Sequence, residues 1–448
     1  MIRALLFFTC FLLSAFSLEA QRLEQFSEVP TEYLIQLKEY MTAGKQQKLE
    51  EEFSLFEKNW KAGMFTEPEI IQIIKTSNGM LAQRMTASPY FYEYLRCLNI
   101  AKNAGNGETR FRDWHAVLDN LIADIENRKL NPYLDFLQFS FPFFENKYLR
   151  QSDLGVNWIA DAPRYEWAYE NKQPLIKYAE INLICSRKQD SIVILQTKGS
   201  YFPTEGIWRG EGGKVTWERL GLDAGVYCLL DKYELETKKS LYEVASAKLH
   251  YPQFFGEKTI EGKFEDKLVV GNDATGGSYP RFESKEQILK IDQIGQGIEF
   301  IGGFRLQGTT VYGYGTRDNR AELKIKNAQK GFNYKGLAEL FIIKRGEQVV
   351  AEQVESTLYF GKDSIYHPSV RVRFNIQNKE LQLTRGDRAS DRNPFFSSMH
   401  QVNINTDDVI CFLDRDSVLI GKKTVSVGAR EKEVVFESLK FFRESDYR

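Results

Sequence analysis

The chain has 448 residues, enough for two to four domains of about 100–200 residues each. Its composition of 42% hydrophobic and 27% charged residues is typical of a folded protein and excludes an intrinsically disordered chain. The formal net charge of −1 excludes an overall basic surface, so we predict that nucleic acid is not a partner.

Residues 1–20 have the features of a secretory signal peptide. Arg3 supplies a short basic region, Ala4 to Leu18 are apolar or small, and Ala20 precedes an expected cleavage site before Gln21. The apolar stretch is too short for a stable membrane span. We therefore predict an exported mature chain without a transmembrane span, in the periplasm, at the periphery of the outer membrane or outside the cell. An uncleaved anchor is the alternative.

Residues 21–148 are predicted to form an all-α domain. Between residues 30 and 146 the apolar side chains recur with the helical period and predict six helices. Thr66 and Glu69 have the spacing of a capping box, Gly63 has the position of a C-terminal cap, and Pro142 is expected to break the last helix. The connections are short, so we expect antiparallel helical hairpins, arranged either as a bundle or as a short solenoid.

The apolar period changes to 2 near Val156, and this alternation continues to the end of the chain. Between residues 190 and 218, β-branched and aromatic residues alternate with glycine and proline turns, which is typical of consecutive antiparallel strands. We assign residues 149–275 and 276–448 to two β-rich domains, which could be continuous, with Gly271–Gly277 as the linker. The predicted fold class is α+β and multidomain, with a sandwich, a jelly roll or a β-roll in the strand region. An apolar run at Leu439–Phe442 predicts either that the natural protein continues past Arg448 or that a partner covers this edge.

The four cysteines outside the signal peptide are expected to be buried hydrophobic residues. They do not form a CxxC pair, and three of them lie in strand-like runs. Because the chain is expected to be exported, a disulfide is the alternative, with Cys185 and Cys228 as the pair considered.

Motifs of nucleophilic or zinc chemistry are absent from the sequence. It has no G-x-S-x-G motif, and its four histidines are scattered without the i, i+4 spacing of a zinc helix. His115 follows Trp114 on a predicted helix and is expected to be a structural histidine. The glycine pairs at Gly295/Gly297 and Gly313/Gly315 lie between strand-like segments, so we predict turns or bulges there rather than phosphate loops.

Two loops carry candidate ligand-binding residues. Asp387, Asp391 and Asn393 offer oxygen ligands at short spacing, but neighbouring arginines can neutralise the carboxylates, so we predict a solvated charged loop; a calcium site is the alternative. Trp208 and Arg209 lie among glycines, in a predicted turn, and packing of the tryptophan in the core is the favoured interpretation. The alternative is an exposed indole beside an arginine, which would form a platform for a glycan or a peptide. Apart from calcium, the sequence predicts no cofactor.

Two segments, GGKVTWERLGLD (Gly212–Asp223) and KDSIYHPSVRVRF (Lys362–Phe374), resemble a family of long exported bacterial envelope proteins. The resemblance covers about residues 150–448. It implies a helical N-terminal region followed by a β-rich remainder, and the family has no assigned activity to carry over.

These observations predict a non-enzymatic exported scaffold or binding protein of the bacterial cell envelope, with a protein or glycan partner. A carbohydrate- or lipid-engaging β module is the first alternative. A glycoside hydrolase is the second, because the 61 acidic residues leave many carboxylate pairs open.

Overall fold

The computed structural model describes residues 23–101, 108–152, 155–187, 190–268, 278–292, 294–326, 333–344, 347–386, 392–413, 417–421 and 433–439. The chain divides into two units: unit 1 is Met1–Ile181 with Gly199–Trp208, and unit 2 is Asn182–Lys198 with Arg209–Arg448. The predicted signal peptide and the linker Gly271–Gly277 lie outside the described residues.

Helices come first in unit 1, as predicted. In the described part of residues 23–147 they are α1 (Pro30–Thr42), α2 (Gln47–Lys61), α3 (Glu67–Ala82), α4 (Tyr92–Ala101), α5 (Glu108–Ala123) and α6 (Asn131–Asn146). The capping box at the start of α3 is confirmed, since the Glu69 carboxylate accepts a hydrogen bond of 2.8 Å from the Thr66 N–H. Among described residues, no helix is long and apolar enough to cross a membrane.

The prediction that Pro142 breaks the last helix is wrong, because α6 continues through it to Asn146. Proline removes one backbone hydrogen bond, but tertiary packing offsets this local cost. Phe143 and Phe144, the two residues after the proline, are buried and pack edge-on against Trp167 and Trp114, with ring centroids 5.4 Å apart in both pairs.

The change from helix to strand near residue 150 is confirmed. Strands β1 (Tyr148–Gln151), β2 (Asn157–Asp161) and β3 (Glu166–Glu170) follow directly after α6, and the unit boundary lies further along, at Ile181. Strands β1 and β2 pair antiparallel, and β3 pairs with β4 (Gln173–Arg187). The fold class is therefore α+β with an antiparallel strand region.

The remaining elements belong wholly or mainly to unit 2. They are β5 (Asp190–Phe202), β6 (Ile207–Glu211), β7 (Lys214–Thr216), β8 (Tyr227–Leu230), β9 (Lys232–Glu236), β10 (Leu241–His250), α7 (Pro252–Phe255), β11 (Thr259–Lys267), β12 (Arg281–Ser284), β13 (Leu289–Ile291), β14 (Ile298–Gln307), β15 (Thr310–Tyr314), β16 (Ala321–Ile325), β17 (Asn333–Ala338), β18 (Leu340–Lys344), β19 (Gln348–Phe360), β20 (Asp363–Asn375), β21 (Glu380–Thr384), β22 (Phe395–Ser397), β23 (Val402–Asn405), β24 (Asp408–Phe412), β25 (Ser417–Ile420) and β26 (Val435–Ser438).

Long strands in unit 2 pair with different neighbours at their two ends. The C-terminal half of β14 pairs with β15 and its N-terminal half with β16. Strand β19 pairs first with β18 and then with β17, and β20 pairs with β22 and then with β21. The strands therefore form two rows of paired strands, which we call ladders. The first ladder contains β15, β18 and β21, and the second contains β16, β17 and β22. Strands β14, β19 and β20 belong to both.

A β-bulge lets β19 pass from the first ladder to the second. Its register against β20 shifts between Ala351 and Val354, and Gln353 between them has a positive φ of 54°. On β14, Gly303 lies under the ring of Tyr314: a Cβ atom there would come within 2.5 Å of the ring. Only glycine fits beneath this cross-strand aromatic residue.

The core of unit 2 follows the predicted alternation. On β18, Phe341 and Ile343 are buried, and Ile342 between them points outward. The Phe341 ring packs edge-on against Phe300 of β14, with centroids 6.0 Å apart.

The four cysteines of the described residues are buried free thiols. The alternative of a disulfide between Cys185 and Cys228 is therefore wrong, and the prediction of buried cysteines is confirmed. Burial raises the pKa of Cys185 to about 12, as expected for a thiol that acts as a small hydrophobic residue.

Candidate functional site

Trp208 and Arg209 do not form an exposed platform. They lie on β6 rather than in a turn, and the alternation of this strand points them to opposite faces. The Trp208 side chain is fully buried, with its ring centroid 5.7 Å from that of Tyr178, so core packing is confirmed and the alternative of an exposed indole is wrong. Arg209 is exposed, and its Nε lies 3.0 Å from a carboxylate oxygen of Glu234.

Of the three predicted calcium ligands, Asp387 and Asp391 lie outside the described residues. The Asn393 carbonyl oxygen accepts a hydrogen bond of 2.7 Å from Nε2 of His367, whose Nδ1 in turn accepts one of 3.1 Å from the Ser369 N–H. This assigns the proton of the neutral imidazole to Nε2. No group of three or more histidine, cysteine, aspartate or glutamate side chains within the described ranges could hold a metal ion.

His115 is a buried structural histidine, as predicted. Its Nδ1 donates to the Phe111 carbonyl oxygen at 2.9 Å, so Nε2 accepts the hydrogen bond of 3.0 Å from the Tyr94 hydroxyl. Burial lowers the pKa of His115 to about 4, which keeps the imidazole neutral at physiological pH.

A groove on the outer face of the first ladder is the strongest candidate site. It has a volume of about 600 Å³, within the range of about 300–1,000 Å³ common for ligand pockets. We call it the β18–β19 groove and define it by its nine lining residues. They are Arg317, Arg320, Glu339, Leu340, Ile342, Val350, Ala351, Glu352 and Gln353.

Aliphatic side chains form the floor of the β18–β19 groove. Ile342 of β18 and Val350 of β19 are directly opposite each other and point outward, away from the core. Leu340, two residues before Ile342, lies on the same face and is 39% exposed. Both strands have a hydrogen-bonded neighbour on each side, so the backbone polar groups beneath the floor are already paired.

Arginine and glutamate side chains surround the floor. Glu355 holds Arg320 through an ion pair of 2.5 Å, and Arg371 holds Glu352 through one of 2.7 Å. Arg317 extends from the loop between β15 and β16, and its guanidinium forms no ion pair or hydrogen bond with the part of the chain that the structure describes.

The position of Arg317 follows from a local turn. The Thr316 N–H donates to the Asn319 carbonyl oxygen at 2.9 Å, and the Asn319 N–H donates to the Thr316 hydroxyl at 3.0 Å. Such side chain–backbone bonds are the usual role of threonine in turns. The turn presents the arginine at the edge of the groove.

A second, buried cluster lies inside unit 2. The Asp266 carboxylate is 1% exposed and accepts hydrogen bonds from Arg219 at 2.5 Å and from the Lys267 N–H at 2.8 Å, both at Oδ1. Its Oδ2 and the indole N–H of Trp217 are buried without a hydrogen-bond partner among the described residues. Burial raises the pKa of Asp266 to about 7, although Arg219 favours the charged form.

Neither the groove nor the buried cluster was identified from the sequence, although both leave a signal there. The segment LFIIK of β18 is apolar on both faces, which is unusual for a strand with one solvated face. Asp266 lies on the inward face of β11 together with Gly262 and Phe264. An ionisable residue therefore occupies a position at which the alternation of the strand predicts an apolar one.

Comparison of the chain with family models, with curated proteins and with solved structures found no match. The assignment of a function therefore depends on the geometry of the chain itself.

Proposed function

We propose that this protein is a non-enzymatic, exported binding protein of the bacterial cell envelope, which binds its ligand in the β18–β19 groove. The observation that carries the proposal is the combination of an aliphatic floor with an arginine that lacks an acidic partner among the described residues. Exposed aliphatic side chains in a concave surface with a few polar groups are typical of binding sites.

The charged groups beside the floor fit binding better than catalysis. Glu352 and Glu355 each lie at hydrogen-bonding distance from an arginine, and these ion pairs orient the two carboxylates. Carboxylates that are engaged in ion pairs can orient a ligand, whereas a general acid or base must reach the proton that it transfers.

The pairing pattern of unit 2 supports a rolled sheet, because β14, β19 and β20 each pair in both ladders. Strands also pass between sheets at bulges in orthogonally packed sandwiches, which are the second candidate. We propose that the roll is a scaffold that presents the groove on its outer face, away from the aromatic and aliphatic core.

The envelope location is supported by residues 1–20 and by the resemblance of Gly212–Asp223 and Lys362–Phe374 to exported envelope proteins. Expression of the full chain in a bacterium should release a mature protein that begins at Gln21. N-terminal sequencing of the protein from a periplasmic fraction tests this, and an intact Met1 in the cytoplasm would contradict export.

Binding in the groove is tested with Leu340→Glu. A carboxylate in the floor removes apolar contact area and is costly to desolvate, so the affinity for a groove ligand should fall by about tenfold or more. Leu229→Glu is the matched control, because Leu229 is an outward strand residue with a similar exposure of 41%, against 39% for Leu340.

The measurement is microscale thermophoresis of the full-length protein against a panel of peptides, oligosaccharides and amphiphiles. The proposal predicts that at least one class binds the wild type and Leu229→Glu but not Leu340→Glu. If no probe in the panel distinguishes the two variants, the groove is not a binding site.

A further inference from the structure

We infer that the β18–β19 groove binds one molecule of a single-chain anionic amphiphile, with its carboxylate or phosphate head at Arg317 and its alkyl tail on the aliphatic floor. The inference rests on the proposed function, since it names the ligand class of the same groove. Three features of the groove lead to it.

The floor favours an alkyl chain over a peptide. The backbone groups of β18 and β19 are paired on both sides, and Leu340, Ile342 and Val350 have no hydrogen-bonding atoms in their side chains. A peptide on this surface would bury its own backbone N–H and C=O groups without hydrogen-bond partners, and this desolvation lowers its binding affinity. An alkyl tail has no polar groups to satisfy and gains from leaving water.

The edge of the groove favours an anionic head. Arg320 and Arg371 already have glutamate partners, whereas Arg317 forms no ion pair within the described residues. A guanidinium binds a carboxylate or a phosphate through two parallel hydrogen bonds. Arg373, directly opposite Val350 in the neighbouring strand, is a second exposed cation without an ion pair among those residues.

Glu339 provides a test of whether the head group of the ligand is anionic or cationic. It lines the groove and likewise forms no ion pair in the described ranges, so it repels an anionic ligand and attracts a cationic one. An anionic amphiphile should therefore bind more tightly to Glu339→Gln than to the wild type. A gain of affinity cannot result from a loss of folding.

The volume of the groove suits one molecule rather than a membrane surface. About 600 Å³ is the size of a pocket for a single small ligand. We therefore take a monomeric amphiphile, and not a bilayer, to be the occupant.

Isothermal titration calorimetry of the full chain tests the ligand class. The probes are dodecanoate and dodecyl phosphate, with dodecyltrimethylammonium and dodecyl maltoside as cationic and neutral controls, all below their critical micelle concentrations. The two anions should bind at one molecule per chain, and Arg317→Gln should weaken their binding by about tenfold. Arg150→Gln, which removes an exposed strand arginine of unit 1, should leave it unchanged.

Several outcomes would overturn the inference. Equal affinity for all four head groups, no effect of Arg317→Gln, or weaker anion binding by Glu339→Gln would each exclude an anionic head at this site. Binding to phosphatidylglycerol vesicles without binding of the monomeric probes would assign the surface to a membrane instead.

Failure of the ligand class can be separated from failure of the proposed function. If a peptide or an oligosaccharide binds in a manner sensitive to Leu340→Glu and the amphiphiles do not, the ligand class is wrong and groove binding stands. If no probe of any class is sensitive to Leu340→Glu, both are wrong.

Discussion

The two units of this protein both bury a titratable side chain, but they do so in opposite ways. In unit 1, both ring nitrogens of His115 have hydrogen-bond partners, and burial lowers its pKa to about 4. In unit 2, Asp266 has an arginine partner at one oxygen only, and burial raises its pKa to about 7. Desolvation favours the neutral form of both groups, yet for a base and an acid this shifts the pKa in opposite directions.

The stability of the two units should therefore respond to pH with opposite signs. Acidification below the ordinary histidine pKa should weaken the helices around His115, while it should strengthen the strands around Asp266. Three substitutions test this comparison, from the largest expected effect to the smallest. The first tests whether the two cores unfold independently, and the other two test the two pH dependences.

Trp114→Ala should give the largest effect. Trp114 is 1% exposed, donates from its indole N–H to the Ser140 hydroxyl at 3.0 Å, and packs against Tyr94 and Phe144. Loss of this side chain should lower the free energy of unfolding of unit 1 by about 3–5 kcal/mol. Urea denaturation followed by circular dichroism at the helical band measures it.

The control for this change is Trp217→Ala, which removes a fully buried tryptophan from unit 2, where it packs edge-on against Phe264 of β11. It should destabilise the protein without an early loss of the helical signal. An early loss of the helical signal in both variants would contradict independent helical and strand cores.

Asp266→Asn should remove a pH dependence from unit 2. The pKa of Asp266 in the folded protein is about 7, above its ordinary value of 3.8. The protonated acid therefore stabilises the folded wild type in full below about pH 4, and this stabilisation is lost as the pH rises through 7. The difference corresponds to at most about 4 kcal/mol, and the asparagine variant should not show it.

Hydrogen exchange of the β11 segment, corrected for intrinsic rates, measures this change between pH 4 and 8. Asp231→Asn, at an exposed position of the same unit, is the control and should keep the wild-type profile. A wild-type unit 2 that becomes more stable as the pH rises would mean that the Arg219 ion pair dominates and that the folded pKa is low.

His115→Gln should give the smallest effect, and with the opposite sign. The folded pKa of about 4 lies below the ordinary value of 6.5, so the wild type is stabilised above pH 6.5 and loses this as the pH falls through 4. The loss is at most about 3 kcal/mol and should be absent from the variant.

Hydrogen exchange of the α4 and α5 segments over the same pH range measures this loss of stability. The exposed His400 offers a matched control, since His400→Gln should leave the acid sensitivity of these helices intact. Helices that remain equally protected from pH 7 to pH 4 in the wild type would show that His115 does not limit their stability.

Local features were predictable in detail. The capping box of Thr66 and Glu69 and the change of period near residue 150 each depend on residues within a few positions along the chain. The physical reason is that caps and amphipathic periods are set by short-range hydrogen bonds and by one buried face.

Two local expectations were wrong because long-range packing overrode them. Pro142 stays within a helix since Phe143 and Phe144 are held by tryptophans on other elements. The glycines around Trp208 predicted a turn, but the residue lies in a strand whose alternation points it inward against Tyr178.

By itself, the sequence determined where the helices end and the strands begin, and that the four cysteines of the described residues behave as small buried apolar residues. Only the tertiary structure decided that β14, β19 and β20 pair in both ladders. It also brought Leu340, Ile342 and Val350 together beside an arginine without an acidic partner among the described residues. Finally, it buried Asp266 with one carboxylate oxygen that has no hydrogen-bond partner among those residues. A cap or a period is a property of neighbours in the chain, whereas register, concavity and desolvation arise when segments far apart in sequence come together.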